Sequence, residues 1–349
     1  MSTSGAASEE LWRPLPWQQD LWLDLTALVL QNHLSHALLL SGPAGVGKHW
    51  FARALSAFIL CEQRSGYACG RCRSCAQIAV GAHPNASVLG TDGLFGMALS
   101  PTGQHENGLV HWQPESDRAR RDISIEAVRQ LISRLALSSH YQGARVALIE
   151  RADALNSSSV NALLKTVEEP PSAMHLILVS ERPQALPATL RSRCQRIRVA
   201  PPRTESASTW LDARLGYDAS AALAAAGGAP LRAIELAQGD GVAQRDQWAE
   251  LWTAVGRRRK DPIAAAATVG RDALIEHLGW AWDWIGTQLR EQVLTDDGDM
   301  DRCDALQQML SEVTDALRKS RGNAQPQLLL ESLLVEWLRL APAALGLQR

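Results

Sequence analysis

The first part of the chain alternates between two patterns of apolar and polar residues. Short apolar runs predict buried strands at "HALLLSG" (36–42), "ASVLG" (86–90), "RVALIE" (145–150), "HLILVS" (175–180) and "QRIRVAPP" (195–202). Helical spacing of apolar positions predicts helices over 11–30, 48–61, 122–137, 156–171 and 185–194. Residues 91–121, which are rich in Gly, Pro and charge, predict a variable surface loop. Alternating strands and helices predict an α/β domain whose parallel sheet carries helices on both faces.

The pattern changes after residue 202, where strand-like runs end. Residues 207–240 predict short Ala-rich helices with a break at Gly227-Gly228, and the chain from about Trp248 onward is helical throughout. Two apolar stripes stand out, one formed by Leu274, Leu278, Trp282, Ile285 and Leu289 and one within 326–341. We predict a disordered N-terminus (1–10), an α/β domain (11–202), a small helical lid (203–242) and a C-terminal all-helical domain (243–349).

Composition and charge narrow the class of protein. The 349 residues suit two or three domains, and 46% hydrophobic residues suffice for packed cores. A net charge of −2 argues against coating nucleic acid by bulk charge, although it allows a local basic face. There is no apolar run of about 18 residues, and the polar, acidic start "MSTSGAASEE" is unlike a secretory signal. We therefore expect a cytoplasmic protein with reduced thiols and no membrane partner.

A phosphate-binding loop is predicted between the first strand and the next helix. "GPAGVGKH" (42–49) has the G-x-x-x-x-G-K spacing, whose backbone N–H groups and lysine cradle phosphates. His49 stands where a hydroxyl for Mg²⁺ is expected, and Glu150-Arg151 stands where a strand-end acid and an activating glutamate are expected. We expect no hydrolysis, and two interpretations stay open: a loop that binds ATP or ADP without turnover, and a glycine-rich turn that binds nothing. The candidate residues are Gly42, Gly45, Gly47, Lys48, His49, Glu150 and Arg232.

Four cysteines predict a metal site. Cys61, Cys69, Cys72 and Cys75 provide enough thiolates for a closed, tetrahedral structural zinc site within an insertion at 61–75. An iron–sulfur cluster and unligated thiols are the alternatives, although the fourth cysteine of the C-x₃-C-P spacing is replaced by Ala79. The isolated Cys194 and Cys303 are interpreted as core thiols.

Two arginines are candidates for a contact with a nucleotide. Arg193 lies in "LRSRCQ" (190–195), where a helix ends before a strand, and Arg232 lies in "GGAPLRAIEL" (227–236), near a helix start. A solvated surface arginine is the simpler interpretation of each. For Arg193, the alternative is a side chain that reaches a neighbour's nucleotide and stabilises charge on the transferred phosphoryl group.

Together, these motifs resemble the AAA+ clamp-loader subunits of bacterial DNA polymerase III. "GPAGVGK", the four-cysteine insertion, "NALLKTVEEPP" (161–171) and "LRSRC" (190–194) carry the resemblance, which is strong over residues 11–200. It implies an AAA+ α/β domain with a RecA-like parallel sheet, a helical lid and a C-terminal oligomerisation collar. The tryptophans at 280, 282, 284 and 337 would pack into that collar, with the domain's own core as the alternative.

Within this family, His49 and Glu150-Arg151 resemble a stator-like member rather than the hydrolysing gamma/tau type. The resemblance implies a part of the DNA polymerase holoenzyme without intrinsic ATPase activity. It implies that Arg193 acts in trans on a neighbour's ATP and that Arg232 matches a second sensor position. The implied partners are gamma/tau and delta subunits, with the sliding clamp and primed DNA met through the complex. An active gamma/tau-type ATPase is the alternative, and a free-standing zinc protein that binds nucleic acid has little support beyond the cysteines.

Overall fold

The structure is a computed structural model that describes residues 10–99, 108–114, 122–136, 143–238, 241–270, 273–294, 299–320 and 324–346. The chain forms two compact units, Met1–Ala219 with Gly228–Ala233 and Ser220–Gly227 with Ile234–Arg349. The finer division into α/β domain, lid and C-terminal domain stays a prediction. The expected disorder at 1–10 falls almost wholly outside the described residues, apart from Glu10, whose carboxylate lies 2.8 Å from Arg214.

The first unit is built on a seven-stranded sheet within the described residues. The strands are β1 Ala37–Ser41, β2 Ala86–Gly90, β3 Gly93–Gly96, β4 Val110–Trp112, β5 Arg145–Ile149, β6 Met174–Ser180 and β7 Gln195–Arg198. They lie in the order β4-β3-β2-β5-β6-β1-β7. Five neighbouring strands pair in parallel, in the order β2-β5-β6-β1-β7. The glycine-rich loop follows β1, which lies between β6 and β7. The expected α/β fold class, with a parallel sheet between helices, is confirmed.

Both faces of the sheet are buried, which explains the continuous apolar runs of the parallel strands. Along β1, Leu38 and Leu40 enter one hydrophobic core, whereas Ala37 and Leu39 enter the core on the opposite face. The covering helices are α1 Gln19–Leu30, α2 Lys48–Leu60, α3 Arg73–Ala79, α4 Ile125–Ala136, α5 Ser157–Glu168, α6 Ala188–Arg191 and α7 Thr204–Leu215.

The first predicted helix begins later than expected. The sequence pattern predicted one helix over 11–30, but the structure has a 3₁₀ turn at Pro16–Gln18 followed by α1. Pro14 and Pro16 explain the difference, because proline has no N–H to donate within a helix.

The prediction of a loop over 91–121 was also wrong in part. β3 pairs antiparallel with β2 and with β4, and the two strands extend the sheet at one edge. The glycines that suggested a loop permit close backbone approach instead: a Cβ on Gly96 would lie 1.9 Å from the Gly81 carbonyl oxygen. Residues 100–107 and 115–121 lie outside the described part of the chain.

The second unit is helical in its described residues. Its helices are α8 Ser220–Ala225, α10 Gly241–Gly256, α11 Pro262–Ala267, α12 Leu274–Leu294, α13 Met300–Lys319 and α14 Pro326–Ala344. A further helix, α9 Pro230–Gln238, begins in the first unit and ends in the second. One core joins α10 to α14, and Trp252, Trp280 and Trp337 are buried in it. Across the described residues of both units, no helix is long and apolar enough to cross a membrane.

Two side-chain expectations in this unit need correction. Trp282 was predicted on the buried stripe of α12, but it is 44% exposed, because Leu278, Ala281 and Ile285 already fill the core-facing positions. Its Nε1 donates to Thr314 Oγ1 at 3.2 Å. Cys303 was expected in the core but is only half-buried, whereas Cys194 of the first unit is buried as expected.

Candidate functional site

The phosphate loop connects β1 to α2 with glycines at its sharpest points. Gly45 (φ +72°) and Gly47 (φ +90°) both adopt the left-handed conformation, which side chains disfavour. Gly42 is needed for close approach, because a Cβ there would lie 2.2 Å from the Val199 carbonyl oxygen. The predicted loop residues therefore form the expected turn at the N-terminus of α2, which begins at Lys48.

The carbonyl groups of this loop are held by the chain's own side chains and backbone. Trp17 Nε1 donates to the Val46 carbonyl at 3.1 Å, and Gln18 Nε2 donates to the carbonyls of Val46 and Gly47 at 3.0 and 3.1 Å. The Leu231 N–H donates to the Gly45 carbonyl at 3.0 Å. These hydrogen bonds tie the loop to residues 17 and 18 and to Leu231.

Arg232 lies beside this loop. A Cβ added to Gly45 would meet the Arg232 Cβ at 2.7 Å, so the arginine backbone packs directly against the glycine. The structure therefore brings Arg232 to the predicted site, and its second-sensor role stays a prediction.

Lys48 is buried and turned toward the loop. Its ammonium donates to the Pro43 carbonyl and lies 3.9 Å from Glu181 Oε1. Burial lowers the pKa of Lys48, while the negative charges of Glu181 and Asp153 act to raise it. Glu181 follows β6 and was not among the predicted site residues. It could not have been found by spacing, because only the sheet order brings the end of β6 beside β1.

Glu150, which follows β5, is engaged by an arginine of the same chain. Arg53 is buried in α2, and its Nη2 donates to Glu150 Oε1 at 2.7 Å. Arg53 Nη1 donates to the Ala98 carbonyl. His49 Nδ1 lies 3.6 Å from the same Glu150 oxygen. A buried guanidinium therefore contacts the carboxylate that was predicted at the strand-end position, and the metal-binding role of that carboxylate stays a prediction.

Sequence reasoning missed Arg53, although a signal was present. Arg53 is the one charged residue of the otherwise apolar stretch "WFARALSAFIL" (50–60), and a charge in such a stretch needs a buried partner. His49 and Arg53 lie four residues apart, so one helix face presents both to Glu150.

Arg193 lies just beyond α6 with its side chain 40% exposed. Its Nε lies 2.7 Å from Glu168 Oε1, and its Nη1 donates to the Thr189 carbonyl at 2.9 Å. Glu168 ends α5 in the "NALLKTVEEPP" segment, and sequence reasoning did not select it. The two segments that carried the family resemblance thus meet at this ion pair.

The four predicted cysteine ligands converge. Their sulfur atoms all lie within 4.8 Å of one another, and the Cys61–Cys72 and Cys69–Cys75 Sγ distances are both 4.0 Å. A tetrahedral zinc with bonds of about 2.3 Å needs sulfurs about 3.8 Å apart, so this cluster fits a metal ion.

The surroundings of three of these thiols shift their pKa values. Burial raises the pKa of the Cys61 and Cys75 thiols. At Cys69, burial acts in the same direction, but N–H groups of Arg71 and Cys72 point at the sulfur, and the pKa falls to about 7. A bound cation would favour the thiolate at all four positions.

Comparison with known proteins identifies the family. The family model described as "DNA polymerase III, delta subunit" matches residues 17–203. The DNA polymerase III subunit delta' of Pseudomonas aeruginosa is 31% identical over 351 residues, which cover 93% of this chain and 97% of that protein. The chain belongs to the DNA polymerase III delta' family. The expected resemblance to clamp-loader subunits is confirmed.

The chain is also similar to a tau subunit over part of its length, and a gamma-related protein is among the solved structures that it matches. The DNA polymerase III subunit tau of Escherichia coli K12 is 31% identical over 189 residues, which cover 52% of this chain and 25% of that protein. A solved DNA polymerase III gamma subunit-related protein of Thermotoga maritima is 15% identical, with a TM-score of 0.39, over 91% of this chain and 99% of that one.

Proposed function

We propose that this chain is a non-hydrolysing clamp-loader subunit that completes the ATP site of a neighbouring gamma/tau-type subunit. In the cytoplasm it would assemble with gamma/tau and delta subunits and, through that complex, support loading of the sliding clamp onto primed DNA. Delta' family membership supports the assembly, and the Arg53–Glu150 ion pair carries the proposal that this chain is not the motor.

That ion pair argues against hydrolysis on chemical grounds. Phosphoryl transfer in phosphate-loop enzymes needs Mg²⁺ held by a loop hydroxyl and a strand-end carboxylate. Here, His49 replaces the hydroxyl, and the carboxylate of Glu150 is neutralised by Arg53. A divalent cation at Glu150 would lie next to a buried positive charge. Lys48 and the glycine turn still favour a phosphate, so we propose that ATP or ADP, where it binds, is not turned over.

Arg193 supports the proposal that this chain completes the ATP site of a neighbouring subunit. Its guanidinium lies at the surface, and an arginine donor can stabilise the charge that develops on a transferred phosphoryl group. The side chain belongs to the "LRSRC" segment that carries the family resemblance. We propose that Arg193 is the residue that this chain contributes to its neighbour's reaction.

The test is ATP hydrolysis by a complex reconstituted from this chain and its own gamma/tau and delta partners. We expect Arg193→Ala to slow hydrolysis at the adjacent site, where an arginine finger contributes roughly 10³–10⁵ in kcat. Arg196→Ala, which removes another exposed arginine from the next strand, is the matched control and should leave the rate unchanged. Full activity of the Arg193→Ala complex would refute the trans role.

The isolated chain separates this proposal from the alternative of an active gamma/tau-type ATPase. We expect no turnover of Mg-ATP by the purified chain. Turnover that Lys48→Ala abolished would make the chain a motor and would contradict the role assigned to Arg53.

We also propose that Cys61, Cys69, Cys72 and Cys75 hold one structural zinc ion. All four positions would be filled by protein thiolates, so the metal would stabilise the segment after α2 and take no part in catalysis.

A further inference from the structure

An acidic residue of the same chain, Glu168, lies 2.7 Å from Arg193. We infer that Glu168 is a positioning residue for Arg193: it orients the guanidinium so that its remaining N–H groups face the partner's phosphate. This inference rests on the proposed function of Arg193 and adds a second residue of this chain to the same site.

The location of Glu168 is the first observation. Glu168 is the last residue of α5, and Glu169 follows it as the C-cap. Carboxylates at a helix C-terminus face the negative end of the helix dipole, so local helix energetics disfavour both. A nearby cation offsets this effect at Glu168, where Arg193 Nε lies 2.7 Å away.

The second observation is how much of the guanidinium is already engaged. An arginine has five N–H donors in a planar fork. Arg193 Nε lies 2.7 Å from Glu168 Oε1, and Nη1 donates to the Thr189 carbonyl, both within its own chain. These contacts involve two of the three nitrogens and leave Nη2 without a contact of this kind among the described residues. Contacts on two nitrogens fix the plane of the guanidinium and leave Nη2 as the group that can reach a partner.

Pre-orientation is what such a residue needs to act across an interface. A flexible arginine loses rotamer freedom when it docks, and an anchored one has already lost much of it. The anchor is modest, because the side chains of Arg193 and Glu168 are 40% and 47% exposed and water screens the pair. We therefore expect removal of the carboxylate to slow hydrolysis at the neighbouring site by about two- to five-fold.

The test uses the reconstituted complex with Glu168→Gln in this chain. We expect a lower kcat with an unchanged KM for ATP, because Glu168 acts on the phosphoryl-transfer step through Arg193. Glu169→Gln is the matched control, since it removes the neighbouring exposed carboxylate, and it should leave kcat unchanged.

A double-mutant cycle distinguishes positioning from a structural role. If Glu168 acts only through Arg193, then Glu168→Gln has no further effect in a complex that already carries Arg193→Ala. Unchanged or faster turnover with Glu168→Gln alone, or equal slowing in both backgrounds, would overturn the inference. If Arg193→Ala alone had no effect on ATP hydrolysis, the proposed trans role of Arg193 would be refuted, and the inference about Glu168 would be refuted with it.

Discussion

At the scale of single residues, the buried Arg53–Glu150 ion pair makes each of its members dependent on the other. A buried ion pair contributes little net stability, but removal of one partner leaves an uncompensated charge. We predict that Arg53→Met destabilises the first unit by about 3–5 kcal/mol, measured as the change in free energy of urea unfolding.

The matched variant carries Arg53→Met and Glu150→Leu together, which removes both charges. We expect it to recover most of the lost free energy of unfolding, because no buried charge is left unpaired. An Arg53→Met chain as stable as the unchanged protein would show that Glu150 does not depend on this partner.

His277 is a second residue with a sharp consequence. It is fully buried among tryptophans, and Trp252 Nε1 donates to its Nε2 at 2.8 Å. An indole N–H only donates, so Nε2 must be the acceptor, and the imidazole is neutral with its proton on Nδ1. Burial lowers the pKa of His277 to about 4.

This shift predicts acid sensitivity of the second unit. The unfolded chain binds a proton at this residue below about pH 6.5, whereas the folded chain binds one only near pH 4. The stability that the neutral His277 contributes to the folded state is therefore complete above pH 6.5 and is lost as the pH falls toward 4. We expect His277 alone to reduce the free energy of unfolding by about 2 kcal/mol between pH 7 and pH 5.

Urea unfolding at pH 7 and pH 5, followed by tryptophan fluorescence, checks this expectation. His277→Gln should lose that part of the pH dependence, and replacement of the exposed His33 by Gln should not. Parallel pH profiles for the unchanged chain and His277→Gln would rule out a neutral, buried imidazole in the folded state.

At the scale of elements, the segment from the end of α2 through α3 depends on its four cysteines. We predict one zinc ion per chain by elemental analysis. Cys72→Ser should abolish stoichiometric binding and lower the melting temperature, because metal-binding free energy is folding free energy in such a site. Cys303→Ser, outside the cluster, is the control. Full zinc content in Cys72→Ser would rule out the four-thiolate site.

Strands with a continuous apolar run could be predicted from the sequence, and the short strands β3 and β4 could not. β1 and β6 lie within one residue of their predicted starts, because a strand covered on both sides must be apolar throughout. β3 is four residues long and flanked by glycine, and β4 is half-exposed, so neither forms a strong apolar run. Their pairing is set by the sheet edge they extend.

The candidate site shows the same division. The glycine turn and the cysteine cluster are local in sequence, so spacing alone located them. Arg53 and Glu150 are 97 positions apart, and the contact between Glu168 and Arg193 depends on how α5 packs beside α6. Contacts of that kind follow from tertiary packing, which single-sequence patterns do not encode.

At the scale of the whole molecule, two units with separate hydrophobic cores carry different features. The first holds the glycine loop, the cysteine cluster and Arg193, and the second holds a tryptophan-rich helical core. The tryptophans expected in an oligomeric collar largely fill that unit's own core, and Trp282 is the exposed exception. Trp282 is therefore the one of these tryptophans whose exposed side chain remains for packing against another subunit.

The Arg53–Glu150 pair also constrains how such a chain could evolve. Restoring a hydroxyl at position 49 and a glutamate at position 151 would leave the guanidinium of Arg53 against the carboxylate that Mg²⁺ needs. Replacing Arg53 first would leave Glu150 buried without its charge partner, and replacing Glu150 first would leave Arg53 in the same position. Replacement of either residue alone therefore passes through a less stable protein. The buried pair would act as an evolutionary ratchet, because positions 53 and 150 would have to change together.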